Sequence, residues 1–237
     1  MDKITDVMSK INPTTVFNIQ IGSIKIGITD STISMWIAMA IIIAVAYIMA
    51  KKLKQMPSGK QSAVEIFVEF IRGILKDSMD KYSEVFVPFI GTMFLLLVVA
   101  NIMDIVNIII PSFNISPPTK NISVVLALSI ISMITVVYAG IRFKKFSGWL
   151  KSFVQPLPIM LPFKIMEYFI KPISLTLRLF GNIVAGFLIM ILIYAMIPEA
   201  IPSFASIYFD IFDGILQAYI FVFLTALYIG EAVEEED

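Results

Sequence analysis

The run ISMWIAMAIIIAVAYIMA, Ile33 to Ala50, carries no charge and stops at KKLK. A helix of about 20 apolar residues matches the hydrocarbon thickness of a bilayer. Comparable runs recur at 85–110, 122–141, 163–197 and 203–229. In lipid a chain must satisfy its own backbone hydrogen bonds, so runs of this kind have to be helices. The sequence therefore predicts an all-α integral membrane protein with five spans in one membrane domain covering 1–237. The last two runs are longer than a bilayer needs and predict a long, tilted hairpin around PEAIP. Composition agrees: the chain is 58% hydrophobic and 15% charged, against about 45–50% and about 25% in soluble domains.

Between the first two spans, 61–81 reads differently. Glu65, Glu69, Arg72 and Lys76 recur at helical spacing, with Phe67, Phe70, Ile71 and Ile74 on the other side. This predicts an amphipathic helix, lying on the membrane surface or packed on a partner as a cytosolic helix. PSFNISPPTK is a proline-broken loop, and FSGWLKSFVQPLPIMLP a proline-broken interfacial segment with Trp149 at headgroup depth. Residues 51–81 carry seven Lys/Arg and 142–171 carry six, whereas the opposite side has Lys3, Lys10, Lys25 and Lys120. The positive-inside rule then places the N-terminus outside and the C-terminus in the cytoplasm.

Several chemistries are excluded. The chain has no Cys and no His, which removes disulfides, thiol catalysis and Ser-His or Cys-His nucleophiles. Any proton carried here must use carboxylates. PSGKQS is not a phosphate-binding loop, because Lys54 stands where its first glycine belongs and Gln61 follows Lys60. The formal net charge is zero, so no basic field draws nucleic acid. No cofactor or metal is expected. No cleavable signal peptide is expected either, since the first 30 residues hold Asp2, Asp6 and Asp30 and lack a compact apolar stretch.

The informative residues are the polar ones inside the spans. ISLTLRLFGNIVAG places Arg178 well inside the fourth. A charge at the bilayer centre costs roughly 2.5–3.5 kcal/mol on insertion scales, so it marks function by default. Lys171, Ser174, Gly181, Asn182 and Ala185 share its face at helical steps. Folding the last two spans antiparallel about residue 198 sets Arg178 level with Gln217 and puts Asp210 nearer the outside. Asn101, Asp104 and Asn107 sit in the outer half of the second span. These groups are suited to line a half-channel open to the outside. Glu167 and Ser174, on the inner side of Arg178, are suited to line a second, open to the cytoplasm. Glu199 and Asp213 read as solvated loop and helix-start charges.

KPISLTLRLFGNIVAG followed by ILQAYIFVFLTALYIGEAVEEE resembles the two signature segments of subunit a of the F-type ATP synthase membrane sector. The likeness is close over 163–237 and collinear over the rest, including VVANIMDIV and PPTKNISVVLALSI. It implies a non-catalytic stator subunit coupling H⁺ or Na⁺ translocation to rotation and ATP synthesis. It also implies a multi-pass protein of a bacterial plasma membrane, partnered by a ring of c subunits, the b subunits of the peripheral stalk and the rest of the complex. Arg178 is then the essential arginine facing the ring, with Asn182 and Gln217 its polar neighbours. Asp104, Glu167 and Ser174 are carried over as residues of the ion path. Some relatives have histidine seven positions before the glutamine, paired with a glutamate on the preceding helix. Here those positions are Asp210 and Phe187, so the outer path cannot be copied from them. The rival classes are a stand-alone transporter or channel and a purely structural bundle. A transporter needs its own substrate pocket and commonly an internal repeat, and neither is visible.

Overall fold

A computed structural model of the chain describes residues 15–21, 24–51, 59–79, 82–109, 117–153, 159, 161–196 and 207–233. The helices begin with α1, Asp30–Ala50, and α2, Gly59–Ser78. They continue with α3, Ser83–Ile109, and α4, Ile122–Ser152. A short 3₁₀ turn, Pro118–Lys120, leads into α4. The last two are α5, Leu161–Met196, and α6, Gly214–Val233. A π-helical turn, Ile207–Asp213, runs into α6. The all-α membrane architecture holds. By length and composition, four segments among the described residues suffice to cross a membrane: Asp30–Ala50, Ser83–Met103, Ile122–Ser152 and Ile211–Val233. α5 is longer and carries Lys164, Glu167, Lys171 and Arg178 along its first half.

One element is unannounced by the helical reading. β1, Thr15–Ile21, pairs antiparallel with β2, Ile24–Thr29, with a register irregularity between Thr15 and Phe17. Ile19 faces Ile26 and Ile21 faces Ile24 across the ladder. The signal was an alternation of isoleucines with polar residues on either side of Gly22-Ser23, a period of two rather than 3.6.

The packing is that of a protein whose solvent is lipid. On α1 the buried residues are Ser31, Ser34 and Ala38, all small and on one face, while Trp36, Ile43, Val45, Tyr47 and Ile48 are exposed. Small residues let backbones approach closely, and large apolar ones face the hydrocarbon at no cost. α4 buries Ser129, Ser132 and Ala139 together with the larger Val125, Leu128 and Val136, and exposes Ile130, Ile134 and Tyr138.

The chain forms two compact units, each drawn from three stretches of sequence. The first comprises 1–47, 95–125 and 179–218, and the second 48–94, 126–178 and 219–237. In the second unit α2 packs inside the chain. Ile71 and Leu75 are fully buried, Phe67 and Phe70 meet Phe94 of α3, and Phe70 meets Tyr219 of α6. The end of α2 lies so close to α6 that a Cβ at Gly230 would run into the Ser78 carbonyl oxygen.

α4 also extends past the stop expected at RFKK. Lys145 has φ 60° and ψ 158°, a conformation side chains rarely adopt, and this breaks the helix into two. The short piece after the break carries Trp149. Its indole Nε1 donates to the Tyr168 hydroxyl at 3.2 Å, and its ring meets Phe153 edge-on. Trp149 is therefore held by α5, whereas the sequence suggested an interfacial anchor alone.

Candidate functional site

α5 and α6 are antiparallel neighbours, and polar contacts in each unit fix their pairing. In the first unit the Asn182 amide Nδ2 donates to Asp213 Oδ2 at 2.7 Å. The same nitrogen lies 3.5 Å from Gln217 Oε1, a long and weak bond. Asp213 and Gln217 can reach one partner because they are four residues apart, on one face of the helix. From α3, Asn101 Nδ2 donates to the Gly214 carbonyl at 2.8 Å. The approach is close: a Cβ at Gly214 would stand 3.1 Å from Asn101 Cβ. Gln217 and Asn101 are 3% and 7% exposed. Among the described residues, neither Gln217 Nε2 nor Asn101 Oδ1 has a hydrogen-bond partner. Buried amide atoms left in this state call for water or an ion.

In the second unit Lys171 joins the two helices. Its Nζ lies 2.7 Å from Glu167 Oε1 one turn back and 2.7 Å from Glu231 Oε2 on α6. It also sits 4.8 Å from the centre of the Tyr228 ring, a cation–π contact. The Lys171 side chain is only 13% exposed. Glu231 was not singled out by sequence reasoning, because it opens an acidic tail that reads as solvated.

Arg178 takes part in neither set of contacts. It is exposed, and among the described residues it makes no ion pair and no hydrogen bond. Its flanking residues Leu175, Thr176 and Leu179 are buried. Gly181 and Ala185, one and two turns on, are exposed like Arg178, and a Cβ at Gly181 would meet nothing within 4 Å. α5 therefore presents a permanent cation beside small residues on an open face.

Of the other candidates, Glu167 is engaged by Lys171, and Ser174 is half-buried on α5. Asp104 belongs to α3 and Asp210 to the π-helical turn, and their side chains lie outside the described residues. Phe187 and Asn107 are likewise outside. Asn182 and Gln217, each expected beside Arg178, lie 3.5 Å apart from amide nitrogen to amide oxygen. Asp213 is the correction: read as a solvated helix-start charge, it is half-buried and bonded to Asn182. The sequence predicts uniform α-helical spacing through 203–229. The wider π turn over Ile207–Asp213 changes that spacing just before the α-helix begins at Gly214.

A family model described as ATP synthase A chain matches residues 32–230. The matched range runs from the first turn of α1 to Gly230 of α6, and it includes Asp104, Glu167, Ser174, Arg178, Asn182, Asp210, Asp213 and Gln217.

Proposed function

This chain belongs to the ATP synthase A chain family, and we propose that Arg178 is the charge by which it couples ion flow to rotation. As a member it is a multi-pass, non-catalytic, ion-translocating subunit of the membrane sector of the F-type ATP synthase.

The observation that carries the reading is the exposure of Arg178 without a partner in its own chain among the described residues. An unpaired guanidinium among apolar residues is costly, so its counter-charge comes from another protein. A carboxylate on each c subunit of a rotating ring supplies it. A carboxylate can face lipid only when neutralised by its ion. An ion enters from outside past Asp104 and Asp210 and neutralises one ring carboxylate. The ring turns until another occupied carboxylate approaches Arg178. There the positive charge favours the anion, and the ion leaves past Ser174 and Glu167 to the cytoplasm. Asn182 and Gln217 are polar neighbours on the entry side. The same charge prevents ions from crossing directly between the two paths. Each elementary charge crossing contributes about 2.3 kcal/mol per 100 mV, and this drives rotation.

In this reading α5 is the fourth of five spans in a single membrane domain, and the N-terminus lies outside a bacterial plasma membrane. The b subunits of the peripheral stalk hold the chain against the torque. The ion is H⁺, and synthesis that needs added Na⁺ would replace it with that cation. The deciding experiment is Arg178→Ala in membrane vesicles. The complex is expected to assemble and its ion-driven ATP synthesis to vanish, and synthesis near the wild-type rate would overturn the assignment.

A further inference from the structure

We propose that Asp213 is a proton-accepting carboxylate of the entry path, acting at the Asn182–Gln217 pair. The inference rests on the reading of this chain as the ion-translocating subunit. It adds a residue that neither the motif nor the expected spacing singled out.

Three observations point to it. First, Asp213 is half-buried on the inter-helix side, with Oδ2 held 2.7 Å from Asn182 Nδ2. A carboxylate offers about four lone-pair sites, and this bond occupies one. Second, the neighbouring amides are incompletely satisfied: Gln217 Nε2 is a buried donor and Asn101 Oδ1 a buried acceptor, each without a partner among the described residues. Gln217 already accepts from the nitrogen that binds Asp213, and Asn101 bonds the carbonyl of Gly214, the next residue along. Orphaned groups of both kinds around one carboxylate suit a hydrated, ion-conducting spot better than a dry packing contact. Third, Asp213 ends a π-helical turn, and such turns occur frequently at functional sites.

The step is a simple transfer. A proton from water on the outer side forms an O–H bond on Asp213, which becomes the neutral acid. That bond breaks as the proton passes to the ring carboxylate, and Asp213 returns to the anion. No other bond changes. Asn182 keeps the carboxylate oriented throughout, since its amide can donate to either form.

The substitution Asp213→Asn separates this role from mere support. The new amide oxygen still accepts from Asn182 Nδ2, so the helix contact survives, but it takes no proton at working pH. In vesicles stripped of the soluble head, passive proton conduction through Asp213→Asn is expected to fall at least about tenfold. Asp213→Glu should keep most of it, and both variants should retain the ring on purification. Conduction near wild type in an assembled Asp213→Asn complex would reduce Asp213 to a positioning group for Asn182 and overturn the inference. Asp213→Cys in this naturally cysteine-free chain gives a second arm that decides the matter if Asp213→Asn fails to assemble. A charged thiol reagent added from the outer side should modify position 213 and block conduction, and a thiol unreactive from that side would also overturn the inference. Arg178→Ala in vesicles that keep the soluble head separates the two readings. If Arg178→Ala still synthesises ATP, the proposed function fails. If it is dead while Asp213→Asn conducts normally, only this inference fails.

Discussion

At the scale of single residues, the site depends on what each charge can and cannot do. Arg178 is exposed on its chain, and in the proposed function its charge acts on a carboxylate of another subunit. Arg178→Lys preserves a positive charge but replaces a planar, always-protonated fork by a compact ammonium that shifts its pKa readily when desolvated. Ion-driven synthesis in vesicles is expected to drop by more than about tenfold, close to the alanine variant. A lysine enzyme working at half the normal rate would mean that charge alone suffices. Asp210 makes a separate case, because the chain has no histidine and the proposed entry path would rely on carboxylates. Asp210→Asn is expected to slow ATP-driven pumping strongly, and Asp210→Glu to keep much of it. If Asp210→Asn pumps normally while Asp213→Asn is dead, proton entry belongs to Asp213 alone.

At the scale of elements, α2 gives the sharpest structural test. Alanine is normally favoured over glycine inside a helix by about 1 kcal/mol. At position 230 the sign should reverse, because the added Cβ meets backbone, the Ser78 carbonyl oxygen, which is not free to swing away. Overpacking of this kind costs about 1–3 kcal/mol. Gly230→Ala is therefore expected to lower the thermal midpoint of the purified complex by several degrees. An unchanged or higher midpoint would mean that α2 does not dock there. The other side of α2 is a topological marker. Glu65, Glu69 and Arg72 are exposed, and the Arg72–Glu84 ion pair, 3.1 Å at an open surface, contributes about 0–1 kcal/mol. Single cysteines at these positions should react with a charged thiol reagent from the cytoplasmic side, and labelling confined to the outside would invert the topology.

The helices themselves were legible because lipid imposes one simple demand, and each observed helix but α6 begins within a few residues of the range the sequence set for it. Three features were not legible, and each for a physical reason. The Lys145 break lies in a basic cluster that reads only as an interfacial stop, since no proline or glycine marks it. The π turn before α6 leaves no compositional trace, so α-helical spacing carried through Asp210 and Asp213 misplaced the latter. The Lys171–Glu231 pair joins residues 60 apart in sequence; the hairpin pairing brings them into range, but charge type alone did not say that Glu231 reaches Lys171. In the site, Asn182 and Gln217 stood out as polar residues in apolar runs, but the antiparallel fold about residue 198 levels Gln217 with Arg178, and the bond from Asn182 to Asp213 was not legible.

The whole molecule is incomplete by its own chemistry. α1, α3, α4, α5 and α6 all expose large apolar side chains, among them Ile43, Val85, Ile134, Phe169 and Leu216. Soluble monomers rarely expose such surface, and for most of these helices lipid is a sufficient cover. Lipid is not sufficient for the open face of α5, where Arg178 stands beside Gly181 and Ala185. Hydrocarbon does not stabilise a guanidinium, whereas a close-packed helix bearing carboxylates does, and small residues allow such a helix to approach. Purification in a mild detergent should therefore bring c subunits and the stalk b subunits down with this chain. Arg178→Ala should not change that result, because on the proposed reading apolar area and close packing hold the assembly while the charge acts in ion transfer. A wild-type chain that runs alone in mild detergent, with the other subunits present in the starting membranes, would leave Arg178 without its partner and return the chain to the class of stand-alone transporters.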